Sequence, residues 1–192
     1  MYRYHKGFTL VELLVVLAII SIIMSILIIS YTDARIQARY MIAEQSMRQI
    51  IGALDVAYAR EGGTVMRITG SVCTMCPCRD YNQDSGYPLW TVRDDSPPGN
   101  AFLANQCLSR WRSALEEINA KSSGLALDTD GLLFDPWGSP YLLDENELEY
   151  ASDPCRRDWL RSAGRDGIKN TSDDYVIRLP FRSAQCIEAD ED

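Results

Sequence analysis

The stretch KGFTLVELLVVLAIISIIMSILIIS, residues 6–30, decides how this chain is organised. From Leu13 to Ile29 its polar residues are Ser21 and Ser25, so the run is apolar enough to lie in a lipid bilayer. An acidic residue, Glu12, nevertheless stands near its start. Because an unpaired carboxylate is costly to place in lipid, the sequence predicts that Glu12 has a partner.

The length and flanks of the run predict a membrane span. A helix over residues 8–31 would be about 36 Å long, enough to cross a hydrocarbon core of about 30 Å. The run is longer than the apolar region of a secretory signal peptide, and no small-residue cleavage site follows it. Since Arg3 and Lys6 precede it, a cytoplasmic N-terminus is favoured. We therefore expect a single-pass protein of the plasma (inner) membrane whose remaining residues form a head outside the cytoplasm.

A short basic leader, then Gly7-Phe8-Thr9-Leu10-Val11-Glu12, then a long apolar helix resembles the N-terminal signal of type IV pilins and of type II secretion pseudopilins. The resemblance implies that residues 1–7 are a leader, which a prepilin peptidase removes between Gly7 and Phe8 before methylating Phe8. It also implies that Glu12 neutralises the N-terminal ammonium group of a neighbouring subunit as helices stack into a filament. The alternative is that the Glu12 carboxylate merely reaches the lipid headgroups.

The same resemblance implies the partners and the function of the chain. The partners would be copies of the chain itself, minor pilins or pseudopilins, the prepilin peptidase, an inner-membrane assembly platform and, before assembly, the lipid bilayer. The product would be a periplasmic or extracellular filament. Two jobs stay open: the pseudopilus of a type II secretion system, or a surface pilus for adhesion, motility or DNA uptake.

The helical pattern continues beyond the apolar run. Apolar residues recur at alternating spacings of four and three at Ile36, Tyr40, Ala43, Met47, Ile50, Leu54 and Ala57. Gly62 and Gly63 then end the pattern. We predict one helix over about residues 8–61, with a membrane-spanning half (8–31) and an amphipathic half (32–62). A coiled coil with another protein is the alternative.

The remaining composition predicts an α+β, pilin-like fold. Turn formers crowd residues 63–104, so we expect 63–126 to be an irregular, cysteine-tied insertion with one short helix near 105–119. Short apolar runs and tight turns in 127–192 predict an antiparallel sheet of three or four strands, ending in an acidic tail. The long N-terminal α-helix would pack on this small antiparallel β-sheet head.

Two motifs in the last third resemble the C-terminal half of the major pseudopilin: DPWGSPY (135–141) and SAGRDGIKNTSDDYVI (162–177). The resemblance implies a calcium loop. Its ligands would be carboxylates of Asp166, Asp173 and Asp174, the Thr171 oxygen, and the carbonyls of Ala163 and Ile168. Six oxygens are what a calcium ion requires. The alternative is an ordinary acidic loop, solvated and free of ions.

All six cysteines fall in the part predicted to lie outside the cytoplasm: Cys73, Cys76, Cys78, Cys107, Cys155 and Cys186. An even count in an oxidising compartment predicts disulfides, although six cysteines can pair in many ways. We expect Cys155–Cys186 to clasp the sheet and the other four to pin the irregular region. A zinc–thiolate site at those four is the alternative, but the C-x-C spacing of Cys76 and Cys78 is unusual for zinc. The C-x-x-C spacing also occurs in redox sites, although nothing else in the sequence resembles a thioredoxin fold.

Charge and histidine content narrow the function further. The net charge of −8 argues against nucleic-acid binding through a basic patch. The single histidine, His5, lies in the expected leader, so the processed chain would have no imidazole base or metal ligand. We therefore expect a structural protein and not an enzyme. A membrane-anchored enzyme or metal-binding protein is the remote alternative.

Overall fold

The computed structural model describes residues 7–71, 73–123, 127–145 and 156–180, with the side chains of 26–30 outside the description. By contact the chain divides into two compact units, Met1–Arg39 and Tyr40–Asp192. The helices are α1 (Leu10–Glu61), α2 (Val65–Thr69), α3 (Cys76–Ser85), a 3₁₀ helix (Leu89–Arg93) and α4 (Ala101–Lys121). The strands are β1 (Leu142–Asp144), β2 (Trp159–Ser162) and β3 (Tyr175–Arg178).

Helix α1 begins two residues later than predicted and ends where predicted. Its end at Glu61 is fixed by Gly62 and Gly63, whose φ angles of 64° and 97° suit glycine and not a continuing helix. Of the seven positions that the spacing of four and three places on one face, Ala43, Met47, Ile50, Leu54 and Ala57 have no exposed area, whereas Ile36 and Tyr40 are half-buried. The prediction of an amphipathic helix is therefore confirmed for the part of α1 that lies in the C-terminal unit.

The sheet in the described residues has three antiparallel strands in the order β1-β2-β3. Leu143 pairs with Leu160, which pairs in turn with Ile177. Successive side chains of a strand point to opposite faces, and here both faces are covered. Leu143 and Leu160 belong to one hydrophobic core with α1, α2 and α4. Leu142 and Trp159 belong to a second core with residues 73–78, the cysteine-rich segment.

The expectation of an irregular region over 63–126 needs correction, because three short helices lie in it before α4. Thr64 caps α2 by accepting a hydrogen bond from the Arg67 N–H, and Gly70 ends that helix at a φ of 72°. Gly86 ends α3 in the same left-handed conformation. The turn-forming residues thus bound these helices instead of excluding them. Helix α4 is also longer than predicted, because Asn100 caps it five residues before the predicted start near residue 105.

A buried carboxylate joins the sheet to the cysteine-rich segment. Glu145, directly after β1, is fully buried and accepts hydrogen bonds from Thr69 Oγ1 (2.9 Å), Thr74 N (2.8 Å) and Thr74 Oγ1 (2.5 Å). Burial raises its pKa from 4.5 to about 7, although these bonds act in the opposite direction. The folded unit therefore binds the Glu145 proton more tightly than the unfolded chain does.

This pKa shift predicts a specific pH dependence of stability. Because the folded pKa is raised, the contribution of the Glu145 proton is full below about pH 4.5 and is lost as the pH rises to about 7. In Glu145→Gln the side chain stays neutral. As the pH rises from about 4.5 to about 7, the free energy of unfolding of this variant should therefore increase relative to that of the wild type, by up to about 3 kcal/mol.

Urea unfolding of both proteins across this pH range measures the effect. Burial also raises the pKa of Asp135, to about 6, but that contribution is present in both proteins and cancels. Parallel pH profiles for the wild type and Glu145→Gln would contradict the assignment.

Candidate functional site

The predicted cleavage site lies just outside α1. Gly7, Phe8 and Thr9 precede the first helical residue, and the Phe8 side chain is 78% exposed. Among the described residues, no atom beyond the chain neighbours lies within 4 Å of the place where a side chain on Gly7 would begin. Within that part of the chain, nothing packs over the Gly7 side of the predicted cleavage site.

Thr9 and Glu12 form a reciprocal cap at the start of α1. Glu12 Oε2 accepts hydrogen bonds from Thr9 N (2.9 Å) and Thr9 Oγ1 (2.8 Å), while the Glu12 N–H donates to Thr9 Oγ1 (3.2 Å). This is a capping box, in which the cap residue and the acidic residue three positions later satisfy each other. The pattern Thr-x-x-Glu at residues 9–12 is the local sequence signal for this cap.

The apolar run of α1 is exposed in the isolated chain. Its large side chains from Leu10 to Met24 are each about half exposed or more, from 45% at Val16 to 78% at Leu10. Soluble monomers rarely leave so extended an apolar surface in water. Ser21 and Ser25 donate their hydroxyl hydrogens to the carbonyls of Leu17 and Ile22, so their polar groups are satisfied within the helix.

Over the part of the chain that the structure describes, no helix is both long enough and apolar enough to cross a membrane. The predicted span of 8–31 includes residues 26–30, whose side chains lie outside the description.

In the C-terminal unit, one hydrogen bond joins the two motifs that the sequence singled out. Asp135 Oδ1 accepts the backbone N–H groups of Trp137, Gly138 and Ser139, which closes the DPWGSPY turn. Asp135 Oδ2 accepts the hydroxyl hydrogen of Ser162 at 2.6 Å. Ser162 is the first residue of the motif 162–177, here called the acidic loop. The turn therefore positions the beginning of that loop.

Acidic oxygens in the loop converge on the Thr171 hydroxyl. Thr171 Oγ1 lies 2.6 Å from Asp173 Oδ1, 3.3 Å from Asp166 Oδ1, 3.4 Å from Asp174 Oδ1 and 3.0 Å from the Ile168 carbonyl oxygen. The Thr171 hydroxyl has one hydrogen to donate, so most of these oxygens face the Thr171 oxygen with no hydrogen between the two atoms. Four of the six predicted ligand residues thus lie around a fifth, Thr171, within 3.4 Å of its hydroxyl oxygen. The sixth residue, Ala163, packs its side chain in the second core.

The charges of this loop are partly balanced by the protein itself. Arg161 Nη1 lies 2.6 Å from Asp174 Oδ2 and donates to Asn170 Oδ1 at the same distance. Burial raises the pKa of Asp174. Burial also opposes ionisation of Asp173, but hydrogen bonds from Thr171 and from backbone N–H groups outweigh it, so the pKa of Asp173 is lowered. Within the described ranges, no three Asp, Glu, His or Cys side chains are placed to hold a metal ion.

The acidic loop is also anchored to its surroundings. Gly167 O accepts the Leu89 N–H at 2.8 Å, and Asn82 Oδ1 accepts the Lys169 N–H at 3.1 Å. The Tyr40 hydroxyl donates to the Asp173 carbonyl at 3.0 Å. Contacts from α1, α3 and the 3₁₀ helix therefore hold the backbone of the loop in place.

The four described cysteines form two disulfides, Cys73–Cys76 and Cys78–Cys107. The prediction that these four tie the inserted region is confirmed. In this arrangement the four sulfurs are bonded to one another and are not thiolates, the form in which cysteine binds zinc. Cys155 and Cys186, and the bridge predicted between them, lie outside the described residues.

Gly164 provides a mutational test of the loop's backbone. Its φ is 64°, and a Cβ there would lie 2.3 Å from the Asp173 carbonyl oxygen. Gly86 has a similar φ of 68° with no atom within 4 Å of the same place. Both Gly→Ala changes should lose about 1 kcal/mol to backbone conformation, and Gly164→Ala should lose roughly 1–3 kcal/mol more through the clash.

Urea denaturation of the two variants measures this difference, with Gly86→Ala as the matched control. Equal losses of stability in the two variants would show that the loop does not close around Gly164 as described.

Comparison with known families finds the prokaryotic N-terminal methylation motif at residues 2–28. The matched residues include Gly7, Phe8 and Glu12, which the sequence analysis assigned to processing and assembly. No curated protein and no solved structure matches the chain. The motif supports a pilin-like or pseudopilin subunit and does not distinguish a secretion system from a pilus.

Proposed function

We propose that this chain is a structural subunit of a pilin-like filament, most like the major pseudopilin of a type II secretion system, and not an enzyme. The observation that carries the proposal is the methylation motif at residues 2–28, which lies at the start of a helix with an exposed apolar surface. The alternative assignment is a type IV pilin of a surface filament. Long filaments on the cell surface would favour the pilin, and filaments confined to the periplasm would favour the pseudopilin.

Processing and membrane insertion would precede assembly. The accessible Gly7–Phe8 bond supports cleavage by a prepilin peptidase, followed by methylation of Phe8. The apolar side chains between Leu10 and Met24 support insertion into the inner membrane, with the C-terminal unit outside the cytoplasm. The helix-satisfied hydroxyls of Ser21 and Ser25 suit a lipid environment, where unpaired polar groups are costly.

Glu12 would gain a second partner during assembly. In the isolated chain both hydrogen bonds that it accepts from Thr9 fall on Oε2. Its other oxygen, Oε1, takes no part in the capping box and can accept a hydrogen bond from the Phe8 ammonium of a neighbouring subunit. A charge-assisted bond of this kind offsets part of the cost of removing both charges from water.

We also propose that the acidic loop binds calcium. The support is the set of oxygens from Asp166, Ile168, Asp173 and Asp174 around Thr171, a mixture of carboxylate, carbonyl and hydroxyl donors typical of calcium ligands. With Ala163 as the sixth residue, the ion would hold together the two sides of the loop. Its charge would relieve the repulsion among the three carboxylates that Arg161 only partly offsets.

The proposed pairing of Glu12 with Phe8 of a neighbouring subunit can be tested separately from the capping of α1 by Glu12. Glu12→Gln keeps an amide oxygen that can accept the Thr9 hydrogen bonds, since Gln also serves in capping boxes, but it removes the charge. We expect this variant to reach the membrane at normal levels and to lower the yield of assembled filaments, collected both by shearing and from the opened periplasm, by about tenfold or more, because one partner of a buried charge pair is lost.

Thr9→Val is the matched control, because it removes the cap hydroxyl and leaves the Glu12 carboxylate. It should still assemble. Immunoblots of the membrane and filament fractions measure both effects, and wild-type filament yield in Glu12→Gln would contradict the proposed role.

Calcium binding predicts a thermal shift of the full chain in detergent. At a Ca²⁺ concentration near 100 times the dissociation constant, the melting temperature should rise by about 5–10 °C. Mg²⁺ should have a much smaller effect, because it favours a tighter octahedral site and retains its water. Asp173→Asn should abolish the Ca²⁺ shift.

Asp84→Asn serves as the control, because Asp84 is exposed on α3 outside the acidic loop. A Ca²⁺ shift that survives in Asp173→Asn, or that is equal for Mg²⁺, would contradict a calcium site in this loop.

A further inference from the structure

The two described disulfides differ in size and position. Cys73 and Cys76 are three residues apart, whereas Cys78 and Cys107 are 29 residues apart and join α3 to α4. Closing a short ring removes much less freedom from the unfolded chain than closing a long one. The Cys73–Cys76 bond is therefore the one that the fold needs less.

The two bonds also differ in accessibility. Cys78 and Cys107 are 1% and 0% exposed, so a thiol in solution reaches neither sulfur without opening the core. Cys73 is 6% exposed, but Cys76 is only partly buried at the surface of the second core. Thiol–disulfide exchange requires direct access to a sulfur atom, so attack on the short bridge would occur at Cys76.

The position of Cys76 favours a thiolate. It is the first residue of α3, a ten-residue helix whose N-cap, Met75, provides no side-chain hydrogen bond. The unpaired N–H groups of a first turn stabilise a nearby negative charge, although Pro77 in this turn supplies none. Arg110 Nη1 donates to the Cys73 carbonyl at 3.1 Å, which places a positive charge beside the other cysteine of the bridge.

The backbone around the short bridge is held independently of the sulfur–sulfur bond. Thr74, between the two cysteines, donates from N and Oγ1 to Glu145, and the Met75 N–H donates to the Leu143 carbonyl at 3.0 Å. The Cys73 N–H donates to Ser71 Oγ at 3.3 Å. These bonds would keep the two sulfurs near each other after the disulfide opens, so that the reaction can be reversed.

From these observations we propose that Cys73–Cys76 is a thiol-exchange site that reacts with thiolates from solution, that Glu145 is its positioning residue, and that Cys78–Cys107 is purely structural. This proposal goes beyond filament assembly and does not depend on it.

The exchange balances as a two-electron reaction with two external thiols. One thiolate attacks Cys76 Sγ, the Cys73–Cys76 bond breaks, and Cys73 leaves as a thiolate that takes a proton from water. A second thiolate attacks the external sulfur of the mixed disulfide and releases Cys76 as a thiolate. The chain gains a dithiol, and the two external thiols are oxidised to their disulfide. In the reverse direction the dithiol is oxidised.

The first test uses the full chain in detergent with glutathione as the probe. The folded protein is exposed to reduced glutathione, quenched with an alkylating reagent at successive times and mapped by mass spectrometry. Cys73 and Cys76 should be labelled at least about tenfold faster than Cys78 and Cys107, with circular dichroism unchanged. Equal labelling rates for the two pairs, or labelling only after unfolding, would overturn the proposal.

The second test measures the equilibrium with mixed glutathione and glutathione disulfide. Glu145→Ala removes the acceptor for both Thr74 hydrogen bonds and should shift the equilibrium toward the dithiol by about tenfold. Glu145→Gln should restore most of the wild-type value, which a loss of overall stability alone would not explain.

Glu116→Ala, at an exposed site on α4, is the matched control and should behave as the wild type. A Glu145→Ala equilibrium equal to that of Glu116→Ala would remove the positioning role. If Glu145→Ala does not fold, Thr74→Val takes its place, because it removes the hydroxyl that donates to Glu145 and should also shift the equilibrium toward the dithiol; a wild-type equilibrium in Thr74→Val would then remove the positioning role.

Discussion

The apolar surface of α1 between Leu10 and Met24 is the constraint on which the N-terminal unit depends, because so much exposed apolar surface is unfavourable in water. The surface belongs to the N-terminal unit, whose described side chains are mostly exposed. Hydrophobic burial is the main favourable term in association, so a helix with this surface calls for a lipid or helical environment. The capping box of Thr9 and Glu12 lets the helix begin with its charge satisfied before that environment is complete.

In the C-terminal unit, the main requirement is to stabilise a small β-sheet. Its sheet has only three described strands, and each face is covered by a separate hydrophobic core. Buried acidic groups then connect these layers: Asp135 joins a turn to the start of the acidic loop, and Glu145 joins β1 to the cysteine-rich segment. Both carboxyls have raised pKa values, because burial outweighs the hydrogen bonds that they accept. Connections of this kind favour one arrangement of the layers while making stability depend on pH.

The sequence predicted those features that a regular pattern or a local signal encodes. The buried face of α1 followed from its spacing and the end of α1 from Gly62 and Gly63, whereas the calcium ligands expected at Asp166, Asp173 and Asp174 rest on the resemblance of the loop motif and stay a prediction. It did not predict α2 and α3, because short helices bounded by Gly70 and Gly86 have the composition of turns. Glu145 was also missed, since its partners Thr69 and Thr74 are more than 70 residues away along the chain. Disulfide pairing could not be derived for the same reason: it depends on which cysteines the tertiary structure brings together.

The most direct test of the filament account is the intact mass and N-terminal sequence of the protein isolated from membranes of a host that contains a prepilin peptidase. The account predicts a chain that begins with N-methylated Phe8 and lacks residues 1–7. A chain that still begins at Met1 would contradict it, and the exposed apolar surface of α1 would then require a different explanation.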